Sequence, residues 1–286
     1  MLSFRLSRCF ALVFLPAAAF AACGGEPPAE VAPKRAPITQ VAILGDSLAS
    51  GYLVDEGSRY YELLLKNDDA RYPSFAGRDL SSLAPDIELV SLAKEGDSGE
   101  LTVRQAFTVP PNRTGRTLVI FSIGLAHLAF DPFRLLNPQG ITLSVKERAG
   151  YVRAIAERFA DPSRYPHGAT LVAFEPIDST DGLNRMPDAL QDDLMCRLYE
   201  AFVATGSLNL FNEQSRQSVV VDQVETLQMM RHFAGHGWYH NDPSIPAYNP
   251  ADPSLWLADC WHPNARGQHE IRRLIWEQVL AADTDL

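Results

Sequence analysis

The run Thr117-Leu118-Val119-Ile120-Phe121-Ser122-Ile123 constrains the fold of this chain more than any other stretch. A nearly unbroken apolar segment of that length has no wet face, so it reads as a strand buried on both sides. Such strands belong to parallel sheets, whose crossover connections lay helices over both faces. Four further runs read as strands: residues 41–44, 87–92, 170–175 and 218–221. Residues 56–66, 73–82, 145–159, 187–203, 208–216 and 265–280 carry helical spacing. This alternation predicts a doubly wound α/β domain, a three-layer α/β/α sandwich on a five-stranded, mainly parallel sheet. With 286 residues and 46% apolar content, the chain can build one such core over residues 38–286, and it shows no internal repeat.

The first apolar run ends in Val41-Ala42-Ile43-Leu44-Gly45-Asp46-Ser47-Leu48-Ala49-Ser50-Gly51-Tyr52. A strand that stops at Gly-Asp-Ser and passes into a helix delivers the Ser47 hydroxyl to the lip of the sheet. Free backbone N–H groups at a helix start suit an anion. Ser47 is therefore the candidate nucleophile, weighed against a plain helix-capping serine. Near the other end stands Asp259-Cys260-Trp261-His262-Pro263-Asn264. A serine hydroxyl attacks only when an imidazole takes its proton, and the imidazole needs an acid to fix its tautomer. Asp259 and His262 supply both groups from one short loop.

With Gly45-Asp46-Ser47-Leu48 and Asp259-x-x-His262-Pro263 together, residues 38–283 resemble the SGNH (GDSL-type) hydrolases, a family of esterases and lipases on a flavodoxin-like fold. The resemblance implies Ser47, Asp259 and His262 as a catalytic triad. It also implies the backbone N–H groups of Ser47 and of Gly96, after the strand Leu89-Val90-Ser91-Leu92, as oxyanion donors. The surroundings of Ser47 look most like small bacterial lysophospholipase and thioesterase members, which points to lipid-type or short acyl esters. No cofactor is called for. One block departs from the pattern: Gly124-Leu125-Ala126-His127 stands where the family has Gly-x-Asn-Asp, and Ala126 has no side-chain donor. Loss of one such donor costs about 10²–10³ in turnover. Either another polar group such as His127 or Asn241 fills the gap, or activity is low, or the chain is a non-catalytic glycan- or lipid-binding relative.

Arg5 and Arg8 precede an apolar run that closes on Phe20-Ala21-Ala22-Cys23. Residues 1–22 read as a secretory signal peptide, with cleavage before a lipid-acylated Cys23 and ordinary cleavage as the alternative. Residues 23–37 read as a Pro-rich tether. The expected address is the bacterial cell envelope, as an outer-membrane lipoprotein held to the membrane by its lipid. Cys9 leaves with the leader and Cys23 is acylated, so Cys196 and Cys260 remain in an oxidising space. They form either a disulfide pinning the Asp259–His262 loop or two buried thiols.

Net charge is −10 for the whole chain and −12 once Arg5 and Arg8 are removed, which argues against nucleic acid as a partner. The expected partner is a small ester or lipid substrate, and the expected state is a monomer. His232, His236 and His240 recur every four residues, a spacing that can hold zinc on a continuous helix. Gly235 and Gly237 interrupt that helix, so no metal site is assigned. Asp178 and Asp181 read as turn formers rather than metal ligands. The segment with Trp238, His240 and Asn241 is expected to line the substrate cleft, together with Gly124 and His127.

Overall fold

Strands of the sheet sort their side chains with a period of two, and this is what divides the core. The computed structural model describes residues 35–84, 86–123, 134, 137–218 and 224–281. In β1 (Ile38–Leu44), Val41 and Ile43 enter one apolar cluster while Ala42 and Leu44 enter another. In β3 (Arg116–Phe121), Leu118 and Ile120 oppose Val119 and Phe121 in the same way. In β4 (Ala169–Phe174), Val172 and Phe174 oppose Leu171 and Ala173. Both faces are dry, as the apolar runs require. With β2 (Glu88–Ser91) and β5 (Val224–Leu227) the order is β2-β1-β3-β4-β5, all parallel.

The helices are α1 (Ser47–Ser50), α2 (Tyr60–Leu65), α3 (Leu80–Leu83), α4 (Gly99–Thr108), α5 (Pro138–Phe159), α6 (Leu194–Ala204), α7 (Ser207–Ser218), α8 (Met229–Phe233) and α9 (Ala265–Ile275). Ile271, Leu274, Ile275 and Val279 are buried, which seats the C-terminal segment on the sheet. Among the described residues no helix is long and apolar enough to cross a membrane.

Several element assignments change, and residues 187–203 are not one helix but a 3-10 turn (Asp188–Leu190) followed, after a break, by α6, which Asp193 caps. Residues 73–82 are not one helix: a 3-10 turn (Pro73–Phe75) and the short α3 flank a bend, where Asp79 caps α3 by accepting from Ser82 N–H. A strand not read from the sequence is Val224–Leu227; of the run at 218–221, Ser218 ends α7 and residues 219–221 lie outside the described residues. Among the described residues β5 pairs only with β4, and an edge position tolerates its Glu225 and Thr226. A further change is α4, whose residues give little apolar periodicity. Its buried face is only Gly99, Thr102 and Ala106.

Candidate active site

Strand order reverses direction around β1, which lies between β2 and β3. In open α/β sheets such a switch opens a crevice beyond the carboxyl ends of the strands. The Gly45-Asp46-Ser47 turn leaves β1 at that crevice. Gly45 has φ +115°, and a Cβ there would lie 2.2 Å from the Ser122 carbonyl oxygen, so only glycine fits so close to the end of β3. Asp46 follows, 3% exposed. Its carboxylate accepts from the Ser122 hydroxyl and from Leu48 N–H at 3.1 Å, capping α1. Burial pushes its pKa up, against the pull of those donors and of His262. The helix that follows is a single turn closed by Gly51. A charged end of a long helix dipole is therefore not available, and any anion binding falls to individual N–H groups.

The three residues picked out from opposite ends of the chain meet. Ser47 Oγ lies 2.8 Å from His262 Nε2, and His262 Nδ1 lies 2.7 Å from Asp259 Oδ2. Asp259 Oδ1 accepts from Trp261 N–H at 2.9 Å and His262 N–H at 2.7 Å. Burial alone would raise the Asp259 pKa, but the His262 ring and these two backbone donors outweigh it and hold the carboxyl below its usual range. An ionised carboxylate only accepts, so the imidazole proton sits on Nδ1 and Nε2 is left to accept from the Ser47 hydroxyl. Tyr52 meets the His262 ring edge-on at 5.1 Å.

A dense set of restraints holds the Asp259–His262 loop. Leu257 and Pro263 form an antiparallel bridge, and Ala258 N–H donates to His262 C=O at 2.8 Å. Asn264 bonds the carbonyls of Leu255 and Leu257 through its amide and caps α9 by accepting from Gly267 N–H. Cys196 at the start of α6 is disulfide-bonded to Cys260, with 5.4 Å between their Cα atoms.

The second donor predicted from sequence, Gly96, lines the same cleft as Ser47. It has φ +76°, and a Cβ there would meet open space. Neither Ser47 N–H nor Gly96 N–H has a hydrogen-bond acceptor among the described residues. The cleft is about 410 Å³, ordinary for a small-molecule site, and is lined in addition by Leu48, Tyr52, Glu95, Asp193, Met195 and Trp261. A second cavity of about 500 Å³ opens at the amino ends of the strands around Arg116, His167 and Glu225, away from this chemistry.

Trp238, His240 and Asn241 are not among the described residues that line the cleft. Trp238 Nε1 donates to Asp259 C=O at 3.1 Å, so its ring braces the triad loop. His240 Nδ1 pairs with Gly237 C=O at 3.0 Å, and Asn241 is exposed in the next turn. Their segment is clamped elsewhere by Asp181, whose carboxylate accepts from the N–H groups of Gly235, Gly237 and Tyr239, each at 2.9 Å. Burial raises the Asp181 pKa against those three bonds. Asp178 is a turn former, accepting from Thr180 N–H and hydroxyl. Each histidine of the spaced trio is occupied singly. His232 faces Glu270 at 3.2 Å, and His236 stacks on Trp256 and pairs with Ser254 C=O. Among the described residues no group of three His, Cys, Asp or Glu is placed to hold a metal. Gly124, Ala126, His127 and Cys23 lie outside the described residues. Tyr52, Trp261 and Met195 were missed as lining residues. A signal existed for two of them, an aromatic ring within a few residues of Ser47 and one next to His262.

No protein-family model matches the chain, and no curated protein matches it. Solved structures do. A phospholipase A1 from Streptomyces albidoflavus NA297 superposes with a TM-score of 0.53 at 16% identity, covering 86% of this chain and 100% of the other. The acetyl xylan esterase AlAXEase gives 0.51 at 13% identity over 84% and 99%. An extracellular lipase from Streptomyces rimosus gives 0.50 at 15% identity over 86% and 100%. What the chain shares with these structures is the fold, a five-stranded all-parallel sheet flanked by helices.

Proposed function

We propose that this chain is an exported serine carboxylic-ester hydrolase working through an acyl-enzyme on Ser47. One observation carries the reading: the side chains of residues 47, 262 and 259 are linked in series by contacts of 2.8 and 2.7 Å. Ser47 Oγ attacks the ester carbonyl while His262 Nε2 takes its proton. Asp259 holds the ring in the accepting tautomer and stabilises the imidazolium. The tetrahedral oxyanion binds the backbone N–H groups of Ser47 and Gly96. His262 then protonates the departing alkoxide, and a water, deprotonated by the same imidazole, hydrolyses the acyl-enzyme.

Leu48, Tyr52, Met195 and Trp261 give the cleft an apolar lining, which supports short acyl or lipid-type esters. The reading extends to the N-terminus: a leader over residues 1–22, a lipid on Cys23, and residues 23–37 as the tether to a bacterial envelope membrane. Turnover of a short-chain aryl ester tests the core of it. Ser47→Ala and His262→Ala should each remove activity in folded protein. Full activity in purified Ser47→Ala would end the proposal; with both variants inactive, a panel graded in acyl length assigns the substrate.

A further inference from the structure

Ser47 and Gly96, whose N–H groups the proposed mechanism uses, line the cleft from different loops, one after β1 and one after β2. Sheet pairing does not reach them: the β1–β2 register ends at Ile43 and Ser91. Leu92 and Ala93 N–H donate to Ile43 C=O at 2.8 and 3.1 Å at the end of β1, and beyond it Lys94 N–H to Gly45 C=O at 2.9 Å is the backbone bond between the two turns among the described residues. The other tie is a side chain. Gln105, half-buried on α4, accepts from Gly45 N–H through Oε1 at 2.6 Å. Its Nε2 donates to Gly45 C=O at 3.2 Å and to Asp97 Oδ2 at 2.7 Å. A primary amide has two N–H donors, and here one serves each loop. Gly45 lies two residues before Ser47, and Asp97 lies one after Gly96. Gln105 itself does not line the cleft.

We propose that Gln105 is a positioning residue that sets the spacing between the Ser47 and Gly96 backbone N–H groups, and thereby the binding of the tetrahedral oxyanion, without touching substrate. The inference rests on the ester-hydrolase reading. Ala126 has no side-chain donor, so more of the developing charge falls on these two backbone donors. Donors held in place before reaction stabilise a transition state more than a bound ester, so misplacement lowers kcat rather than raising KM.

Gln105→Leu keeps the bulk and removes all three bonds. With rates expressed per active site titrated by the acyl-enzyme burst, kcat should fall about 10–10²-fold while KM stays within about twofold. Affinity for a boronic acid, which forms a tetrahedral adduct on Ser47, should fall by the same factor. Gln105→Glu keeps the acceptor for Gly45 N–H but sets a carboxylate against Asp97. Protonation returns the donor, so its activity relative to wild type should climb as pH falls. A merely structural role would reduce the number of active sites and leave kcat per site and this pH trend unmoved. Hydrogen exchange gives an arm independent of turnover: Gln105→Leu should speed exchange at Gly45 and at residues 94–98. Wild-type kcat and boronate affinity in Gln105→Leu, or unchanged exchange in those loops, would overturn the proposal. Absence of turnover in wild type with exchange altered as expected would instead overturn the hydrolase reading and leave the clamp standing.

Discussion

Reducing the Cys196–Cys260 bond should cost this domain a large part of its stability and little of its chemistry. The bridge closes a loop with a sequence separation of 64. In the chain-entropy description a loop of that size removes roughly 14 cal/mol/K from the unfolded ensemble, or about 4 kcal/mol at 25 °C. For a domain of this size that corresponds to a fall of roughly 10 °C in Tm. Reduced wild type is the cleanest comparison, since both sulfurs stay in place and no cavity opens; Cys196→Ala/Cys260→Ala is the second. Urea titrations with and without dithiothreitol, on protein whose thiols have been counted by mass, give the difference directly. Activity of the folded fraction should stay within about tenfold, because the Leu257–Pro263 bridge, the Trp238 bond to Asp259 C=O and the Asn264 amide still brace the loop. A stability change under about 1 kcal/mol, or two free thiols in protein purified without reductant, would refute this account of the loop.

Three further expectations follow from particular contacts. Gly45→Ala sets a methyl against the Ser122 carbonyl at an unfavourable φ and should destabilise by roughly 3 kcal/mol in chemical denaturation; a loss under about 1 kcal/mol would mean the turn re-forms easily. His269 is buried, stacked on Tyr72 and accepting from Arg272, and burial, with the nearby Arg272 charge, lowers its pKa to about 4. The unfolded chain therefore binds the extra proton first, so stability should be full above about pH 6.5 and decline as pH falls toward 4. That single group accounts for on the order of 3 kcal/mol. His269→Phe should flatten this part of the stability–pH curve, and an unchanged slope would contradict the assignment. Asp181→Ala leaves three backbone N–H groups without their acceptor and should speed hydrogen exchange across residues 235–239, with the Ser47–His262 pair still reactive toward a phosphonate probe; unchanged exchange there would show that the clamp is dispensable.

The parts legible in the sequence are those whose cause is local. Thr117 to Phe121 must be buried on both faces whatever surrounds them, and β3 pairs on both sides. Asp259 and His262 need only a turn between them to form their bond, so their spacing alone announces it. Ser47 stood out because Gly-Asp-Ser follows a buried strand. What stayed hidden is set by neighbours distant in sequence. Gln105 sits on a helix with a small buried face, and its importance appears only when Gly45 and Asp97 are seen on either side of it. The ring of Trp238 looks like a substrate contact until Asp259 C=O is found at its N–H. Asp181 reads as a turn former because nothing in the sequence shows that a loop more than fifty residues later will bring it three N–H groups. The strand Val224–Leu227 went unread because Glu225 and Thr226 break its apolar pattern; pairing with β4, not apolarity, makes it a strand.

Labelling with a fluorophosphonate tests the central claim most directly, since the reagent reacts only with a serine whose proton is being withdrawn. Intact mass and peptide mapping of wild type should show one adduct, on Ser47, with none in Ser47→Ala and a rate lowered by orders of magnitude in His262→Ala. Folded wild-type protein that takes up no label, or a label that persists after Ser47 is replaced, would contradict it.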